Sequence, residues 1–104
     1  MNDIKLTLKN IEEIINEAET RKLALPERAA LFAAMSVIAE NVKQYIDKRD
    51  DIGGTYARDK INGILWHAGA ALGFDVTNDH PPAQHRVWAR GDLDSLKRVL
   101  LHDT

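Results

Sequence analysis

Apolar residues recur every three or four positions along most of this chain, and this spacing constrains the fold more than any other feature. A helix turns once per 3.6 residues, so residues spaced in this way fall on one side of it. Four segments show such a stripe: Leu8, Ile11, Ile14, Ile15 and Ala18; Leu31, Met35, Ile38, Val42, Tyr45 and Ile46; Ala57, Ile61, Ile64, Leu65, Ala68 and Leu72; Leu93, Leu96, Val99 and Leu100. The pattern predicts an all-α protein.

Residues typical of helix ends divide this pattern. Thr7 is a suitable N-cap for the first helix. Pro26 suits the first turn of the second helix, which should end near Arg49. Thr55 can cap the third helix, and Gly73 stands where a left-handed residue commonly follows a last turn. These signals predict three helices in the first three quarters of the chain.

The C-terminal quarter is predicted as a short helix followed by a longer one. Pro81 and Pro82 suit the start of a helix that runs through Arg90, Gly91 closes it, and Asp92 caps the last helix. Residues 1–104 are therefore expected to form one compact domain of four or five helices. An antiparallel bundle and an orthogonal packing both remain open.

Two features indicate how the helices pack. The first half of the second helix is apolar or small almost all round, with Ala29, Ala33 and Ser36 opposite its main stripe. Such a helix is usually central and contacted from more than one side. In the third helix, Gly63 and Gly69 let another helix approach closely, either within the chain or in a homodimer.

One short alternation allows a different secondary structure. Ile4, Leu6 and Leu8 could belong to a strand, because every second residue is apolar. No partner strand is evident in the sequence, so the helical interpretation is preferred.

The composition is that of an ordinary soluble domain. The 104 residues are 44% hydrophobic and 29% charged, with a formal net charge of −2 and no cysteine. Lack of cysteine excludes disulfides and thiolate metal sites and fits a reducing compartment. No apolar run approaches the ~20 residues that span a bilayer. The start MNDIKLTLKN does not resemble a signal peptide. We expect a cytoplasmic protein without membrane contact.

The histidines raise the question of a metal site. His67, Asp79, His80 and His85 offer imidazole and carboxylate ligands. Their spacing matches no zinc motif, and Pro81 and Pro82 separate His80 from the helix that holds His85. We therefore expect no metal. Asp79 or His80 should instead help to cap the helix, with His85 on its exposed side.

No catalytic or cofactor motif is complete. Ser36 and Ser95 lie within helices, away from the strained turn and the base that a nucleophile needs. Glu13 and Glu17 are one turn apart on a face expected to be solvated, where pKa tuning is weak. The segment GGTYARDK lacks the spacing of a phosphate loop. We expect no catalytic residue, no cofactor and no enzyme activity.

A cationic segment near the C-terminus suggests nucleic-acid binding. Arg86 and Arg90 are one turn apart, Trp88 lies between them, and Lys97 and Arg98 follow. The arginines could bind phosphates while Trp88 stacks on an unpaired base. Alternatively, Val87 and Trp88 fill the core while the arginines are solvated.

Trp66 falls away from the apolar stripe of its helix, in the sector of Asp59 and Asn62. Either the C-terminal helices cover this indole or a binding partner does. Tryptophan is enriched in binding hot spots. We prefer burial within the chain, because the segment 74–91 must pack somewhere.

In size and helical layout the chain resembles the small helical inhibitor proteins that phages and mobile elements encode, including anti-CRISPR proteins. The resemblance carries no motif and transfers no functional residue. It implies a CRISPR surveillance complex, or its exposed nucleic acid, as the partner. We hypothesise a non-enzymatic binding or inhibitor protein that occupies a surface of a macromolecular target. The alternative is a nucleic-acid-binding protein that uses the Arg86, Trp88 and Arg90 face.

Overall fold

A computed structural model of the protein describes residues 4–18, 23–49, 54–74 and 80–101 and shows four α-helices there. Helix α1 spans Ile4–Glu17, α2 Leu25–Asp47, α3 Gly54–Ala71 and α4 Pro82–Leu100. The all-α prediction is confirmed. Residues 4–8 are helical, so the strand interpretation of Ile4, Leu6 and Leu8 is wrong.

Neighbouring helices run antiparallel and form a four-helix bundle. Helix α2 packs against α1 and α3, and α4 packs against α3 and α1. In each pair of packed helices, residues early in one helix lie beside residues late in the other. Between α2 and α3, Phe32 lies beside Gly69 and Asp47 beside Arg58. Between α3 and α4, Lys60 lies beside Asp92 and His67 beside His85; between α1 and α4, Glu12 lies beside Lys97 and Asn16 beside Arg90. This order selects the antiparallel bundle over orthogonal packing.

One stripe from each helix fills the core between the four helices. The buried residues that meet there are Leu8, Ile11, Ile14 and Ile15 from α1, Met35, Ala39, Val42 and Ile46 from α2, Ala57, Ile61, Ile64 and Ala68 from α3, and Ala89, Leu93, Leu96 and Leu100 from α4. The predicted apolar stripes are thereby confirmed, because almost every member is buried or packed against this cluster.

The N-terminal ends of α1 and α2 differ in how well the sequence predicted them. Helix α1 begins at Ile4, about one turn before the predicted cap Thr7, and Ile4 packs against the core. Helix α2 has Pro26 in its first turn, as predicted. The Glu27 carboxylate accepts a hydrogen bond of 3.2 Å from the Ala24 backbone N–H, one of the donors that a helix start leaves without a partner.

Helix α4 runs without a break through Gly91, so the predicted division into two helices is wrong. His85, Ala89, Leu93 and Leu96 are all buried and keep one helical register across Gly91. Packing of this stripe outweighs the ~1 kcal/mol that a glycine costs inside a helix. Asp92 is consequently not a cap. It lies within the helix, 3.6 Å from Lys60 Nζ of α3.

Gly91→Ala is expected to stabilise the protein. Gly91 is exposed, and a Cβ built on it meets no atom within 4 Å. Alanine should therefore raise the free energy of unfolding by about 0.5–1 kcal/mol through its helix propensity. Urea denaturation at neutral pH measures this change. A destabilised variant would show that the chain bends or breaks at Gly91.

None of the described helices combines the length and the apolar character required to cross a bilayer.

Candidate functional site

The end of α3 places an aromatic side chain at the surface. Gly73 has a φ of 88°, the left-handed conformation that its position predicted. The N–H of Phe74 donates to the Gly69 carbonyl at 2.9 Å and that of Gly73 to the Ala70 carbonyl at 3.0 Å. Together these bonds form a Schellman motif, which fixes the direction in which the chain leaves the helix. Phe74 is thereby held near the last turn of α3.

Helix α2 supports this chain end from the other side. Arg28 Nη1 donates a 2.8 Å hydrogen bond to the Leu72 carbonyl, one of the acceptors that the end of a helix leaves open. The Phe32 and Phe74 rings pack with centroids 5.4 Å apart. These contacts join the start of α2 to the end of α3.

Glycines in α3 allow the neighbouring helices to pack closely against it. A Cβ on Gly69 would lie only 2.8 Å from Phe32 Cε1, and a Cβ on Gly63 would overlap the Asp92 carboxylate of α4. The prediction that these glycines permit close approach is confirmed, with both contacts made inside one chain. A homodimer through this face stays a prediction.

Between α2 and α3 lies an apolar cleft, which we call the Trp66 groove. Its volume is ≈ 510 Å³, and its lining residues are Phe32, Asn62, Leu65, Trp66, Gly69, Ala70 and Phe74. Asn62 contributes an amide to this lining, and Trp66 contributes an indole N–H donor. Such a groove can take apolar side chains from a ligand and offers a few polar groups to orient them.

Trp66 is the largest exposed apolar side chain at this groove. Its side chain is 52% exposed, and Phe74 is 38% exposed. The expected burial of Trp66 within the chain is therefore wrong. Trp66 lies 5.4 Å from the His85 ring of α4 and shares the groove with Phe32 of α2, but these neighbours leave it exposed.

Behind Trp66, two histidines form a pair that joins α3 to α4. His67 Nδ1 and His85 Nδ1 are 3.0 Å apart, a hydrogen bond in which one nitrogen donates and the other accepts. His85 is completely buried. The expectation that His85 lies on the exposed side of its helix is wrong, because the continuous α4 carries His85 on the same stripe as Ala89 and Leu93.

Aromatic rings surround the His67–His85 pair. The Trp66 ring centroid is 4.7 Å from that of His67 and 5.4 Å from that of His85, both edge-on. Trp88 lies 5.3 Å from His67 and 5.2 Å from His85. These indoles limit the access of water to the imidazoles.

The environment of His67 disfavours charge. Burial lowers the pKa of His67 below the ordinary value of 6.5, and the nearby Asp92 carboxylate opposes this shift with a smaller effect. The neutral imidazole is thus stabilised in the folded protein relative to the unfolded chain.

His80 joins the cluster from the residues ahead of α4. Its ring lies 4.8 Å from Trp88 and 6.0 Å from His85. His80 does not cap α4, since the N-cap is Pro81 and no side-chain hydrogen bond caps this end. Asp79 lies outside the described residues. In the parts of the chain that the structure describes, no group of three or more histidine, aspartate or glutamate residues is arranged to hold a metal ion.

The structure does not bring the predicted arginine and tryptophan face together. Side chains two positions apart in a helix differ by about 200° around the helix axis, so Trp88 points away from Arg86 and Arg90. Trp88 faces α3, whereas Arg90 Nη2 donates to Asn16 Oδ1 of α1 at 2.7 Å. The predicted phosphate contacts and the predicted stacking residue therefore lie on opposite edges of α4.

The other cations of that prediction also lie away from Trp88. Lys97 Nζ is 3.1 Å from the Glu12 carboxylate of α1. Arg86 lines a second cleft of ≈ 630 Å³ together with Glu17 and Glu27, whose carboxylates repel phosphate. Arg98 is exposed on the outer side of α4.

The serines considered as nucleophiles bond to their own helices. Ser36 Oγ donates to the Phe32 carbonyl at 3.0 Å and Ser95 Oγ to the Gly91 carbonyl at 3.2 Å. Glu13 and Glu17 are exposed on α1, as expected. The first glycine of GGTYARDK lies outside the described residues.

The chain matches no protein-family model, and neither a curated protein nor a solved structure is significantly similar to it.

Proposed function

We propose that this chain is a cytoplasmic, non-enzymatic binding protein that occupies a surface of a protein target with its Trp66 groove. One observation carries the proposal: a tryptophan that is 52% exposed stands beside an apolar groove on an otherwise well-packed bundle. Tryptophan anchors are concentrated in binding hot spots, where they fill or flank a pocket that excludes water.

The surface of α2 extends this apolar region. Residues 29–39 include no charged side chain, and Ala29, Ala33 and Val37 are exposed on the outer side of the helix. The expectation that α2 would be contacted from more than one side is met by α1 and α3. Its small-residue side nevertheless remains open to solvent, next to Phe32. Contiguous exposed apolar surface of this kind is typical of protein-binding sites.

The chemistry of the groove favours a protein partner over a nucleic acid. Its described lining contains no cation, and nucleic-acid affinity depends mainly on phosphate contacts by lysine and arginine. A partner that presents aliphatic or aromatic side chains, for example from one face of a helix, fits this lining. Occupying such a surface requires no chemistry, which agrees with an inhibitor that acts by blocking.

The resemblance to anti-CRISPR proteins supplies a first target for the test. A CRISPR surveillance complex has protein surfaces as well as bound nucleic acid, so its binding must be measured with both contributions separated. Comparing the proteins captured from nuclease-treated and untreated extracts separates the two contributions. The purified surveillance complex, or a protein captured in this way, is then titrated calorimetrically with the chain.

The Trp66→Ala variant is the decisive measurement. We expect its Kd for the purified target to rise at least tenfold, with a smaller negative heat-capacity change because less apolar surface is buried. Tyr56→Ala is the matched control, since Tyr56 is an aromatic residue of α3 that is 49% exposed and lies outside the groove. It should bind like the wild type.

Two results would contradict the proposal. Trp66→Ala could bind with unchanged affinity while remaining folded, which would remove the groove from the interface. Alternatively, capture could vanish after nuclease treatment and weaken steeply with salt, which would favour the nucleic-acid-binding alternative.

A further inference from the structure

The His67–His85 pair links the two helices that carry Trp66 and Trp88, at a place where the proposed binding function assigns no role to it. The two facing Nδ1 atoms are 3.0 Å apart. Two nitrogens at this distance hold one hydrogen between them. If both rings become imidazolium ions, every ring nitrogen carries hydrogen and no acceptor remains between them.

Double protonation also places like charges in a poorly solvated position. His85 is completely buried, and two indoles lie against the pair. Burial disfavours a charged group, and two adjacent cations repel each other. The folded arrangement therefore accommodates fewer protons on this pair than the unfolded chain, where both imidazoles titrate near the ordinary histidine value.

Charged groups of both signs lie on the two helices that carry the pair. Within two turns of it, α3 carries Lys60 and α4 carries Arg86, Arg90 and Asp92, with His80 ahead of α4. Asp92 favours charge on His67, but burial outweighs it. Asp92 also lies 3.6 Å from Lys60, and the Glu12 carboxylate pairs with Lys97, so part of the negative charge is already neutralised.

We propose that the His67–His85 pair is a proton-operated latch between α3 and α4, closed while the two imidazoles share one hydrogen and opened when both become imidazolium ions. Trp66 lies edge-on against both rings, with centroids 4.7 and 5.4 Å away. Separation of the rings therefore moves the indole that borders the groove. The latch needs no partner to operate, so its test uses the protein alone.

The first readout is the position of Trp66. The chain has two tryptophans, so Trp88→Phe leaves Trp66 as the only indole. Between pH 7.5 and 5, its emission should change in one transition with a midpoint below the ordinary histidine pKa of about 6.5. Proton NMR of the wild type should show His67 titrating below that value, in the same transition as the emission change. Titration of His67 at about 6.5 or above, without an emission change, would overturn the proposal.

The second readout is stability. Below pH 6.5 the unfolded chain binds more protons than the folded protein. For each extra proton that the unfolded chain binds, the unfolding equilibrium constant rises about tenfold when the pH falls by one unit. Asparagine can hydrogen-bond from the position of Nδ1 without titrating. His67→Asn should therefore show a rise at least tenfold smaller than the wild type between pH 7.5 and 5.

His80→Asn is the matched control. His80 is exposed and lies outside the hydrogen-bonded pair, so this variant should keep the wild-type pH profile of stability. An unchanged profile in His67→Asn, or an equal loss in His80→Asn, would contradict the latch. If His67→Asn does not fold at pH 7.5, the NMR and emission titrations with His67 and His85 intact decide the question.

Discussion

Leu96→Ala is expected to lower the free energy of unfolding by about 2–5 kcal/mol, the largest effect of any single truncation considered for this bundle. Leu96 is completely buried on α4, in the core cluster that all four helices share. Removing its side chain loses apolar burial and leaves a cavity that rigid neighbours fill only in part. In a domain of this size, where total stability is roughly 5–15 kcal/mol, such a loss is severe.

Urea denaturation of Leu96→Ala and of Val87→Ala tests this expectation. Val87 lies on the same helix and is 57% exposed, so its truncation should change stability by no more than about 0.5 kcal/mol. The two slopes against urea concentration should agree, because both variants expose the same surface on unfolding. Equal effects at the two positions would mean that α4 does not bury the face described here.

The core was predictable because a periodic apolar pattern needs only the helix repeat to be interpreted. Leu8, Ile11, Met35, Ile61 and Leu96 are buried where their spacing placed them. Helix ends were harder, since a local signal competes with packing. Gly91 and Asp92 look like the end of one helix and the start of another, but the buried register across them holds α4 together.

The site was predicted less well than the core, and one error explains most of the difference. Dividing α4 at Gly91 separated His85 and Ala89 from the stripe of Leu93 and Leu96, and so hid the contact with His67. A single continuous helix would have placed His85 on the buried side. Helical geometry also places Trp88 opposite Arg86 and Arg90. The hypothesis of a joint arginine and tryptophan face did not take this into account.

Trp66 illustrates what a sequence cannot decide. Its place off the apolar stripe was evident, but whether another part of the chain covers it depends on how α2, α3 and α4 meet. Phe74 was missed for a different reason. Gly73 was identified as a left-handed helix end, and the Schellman motif that follows often carries an apolar residue at the next position. That signal would have placed Phe74 over the last turn of α3, near Gly69.

Gly69→Val is the second substitution with a large expected effect. It tests whether α2 and α3 pack as closely at the Trp66 groove as the contact between Phe32 and Gly69 indicates. The Cβ alone would lie 2.8 Å from Phe32 Cε1. Moving the Phe32 ring aside would disturb its packing against Phe74, whose backbone the Schellman motif holds. We expect overpacking to cost about 1–3 kcal/mol of the free energy of unfolding, after any gain in helix propensity.

Gly91→Val separates this steric effect from the general consequence of placing valine in a helix. A Cβ on Gly91 meets nothing within 4 Å, so this variant should match the wild type or exceed it by up to about 0.5 kcal/mol. If the groove binds a protein target, Gly69→Val should also weaken binding under conditions where it is fully folded, whereas Gly91→Val should not. Wild-type stability in Gly69→Val would show that α2 and α3 are farther apart than the contact between Phe32 and Gly69 requires, and the groove would lose its structural basis.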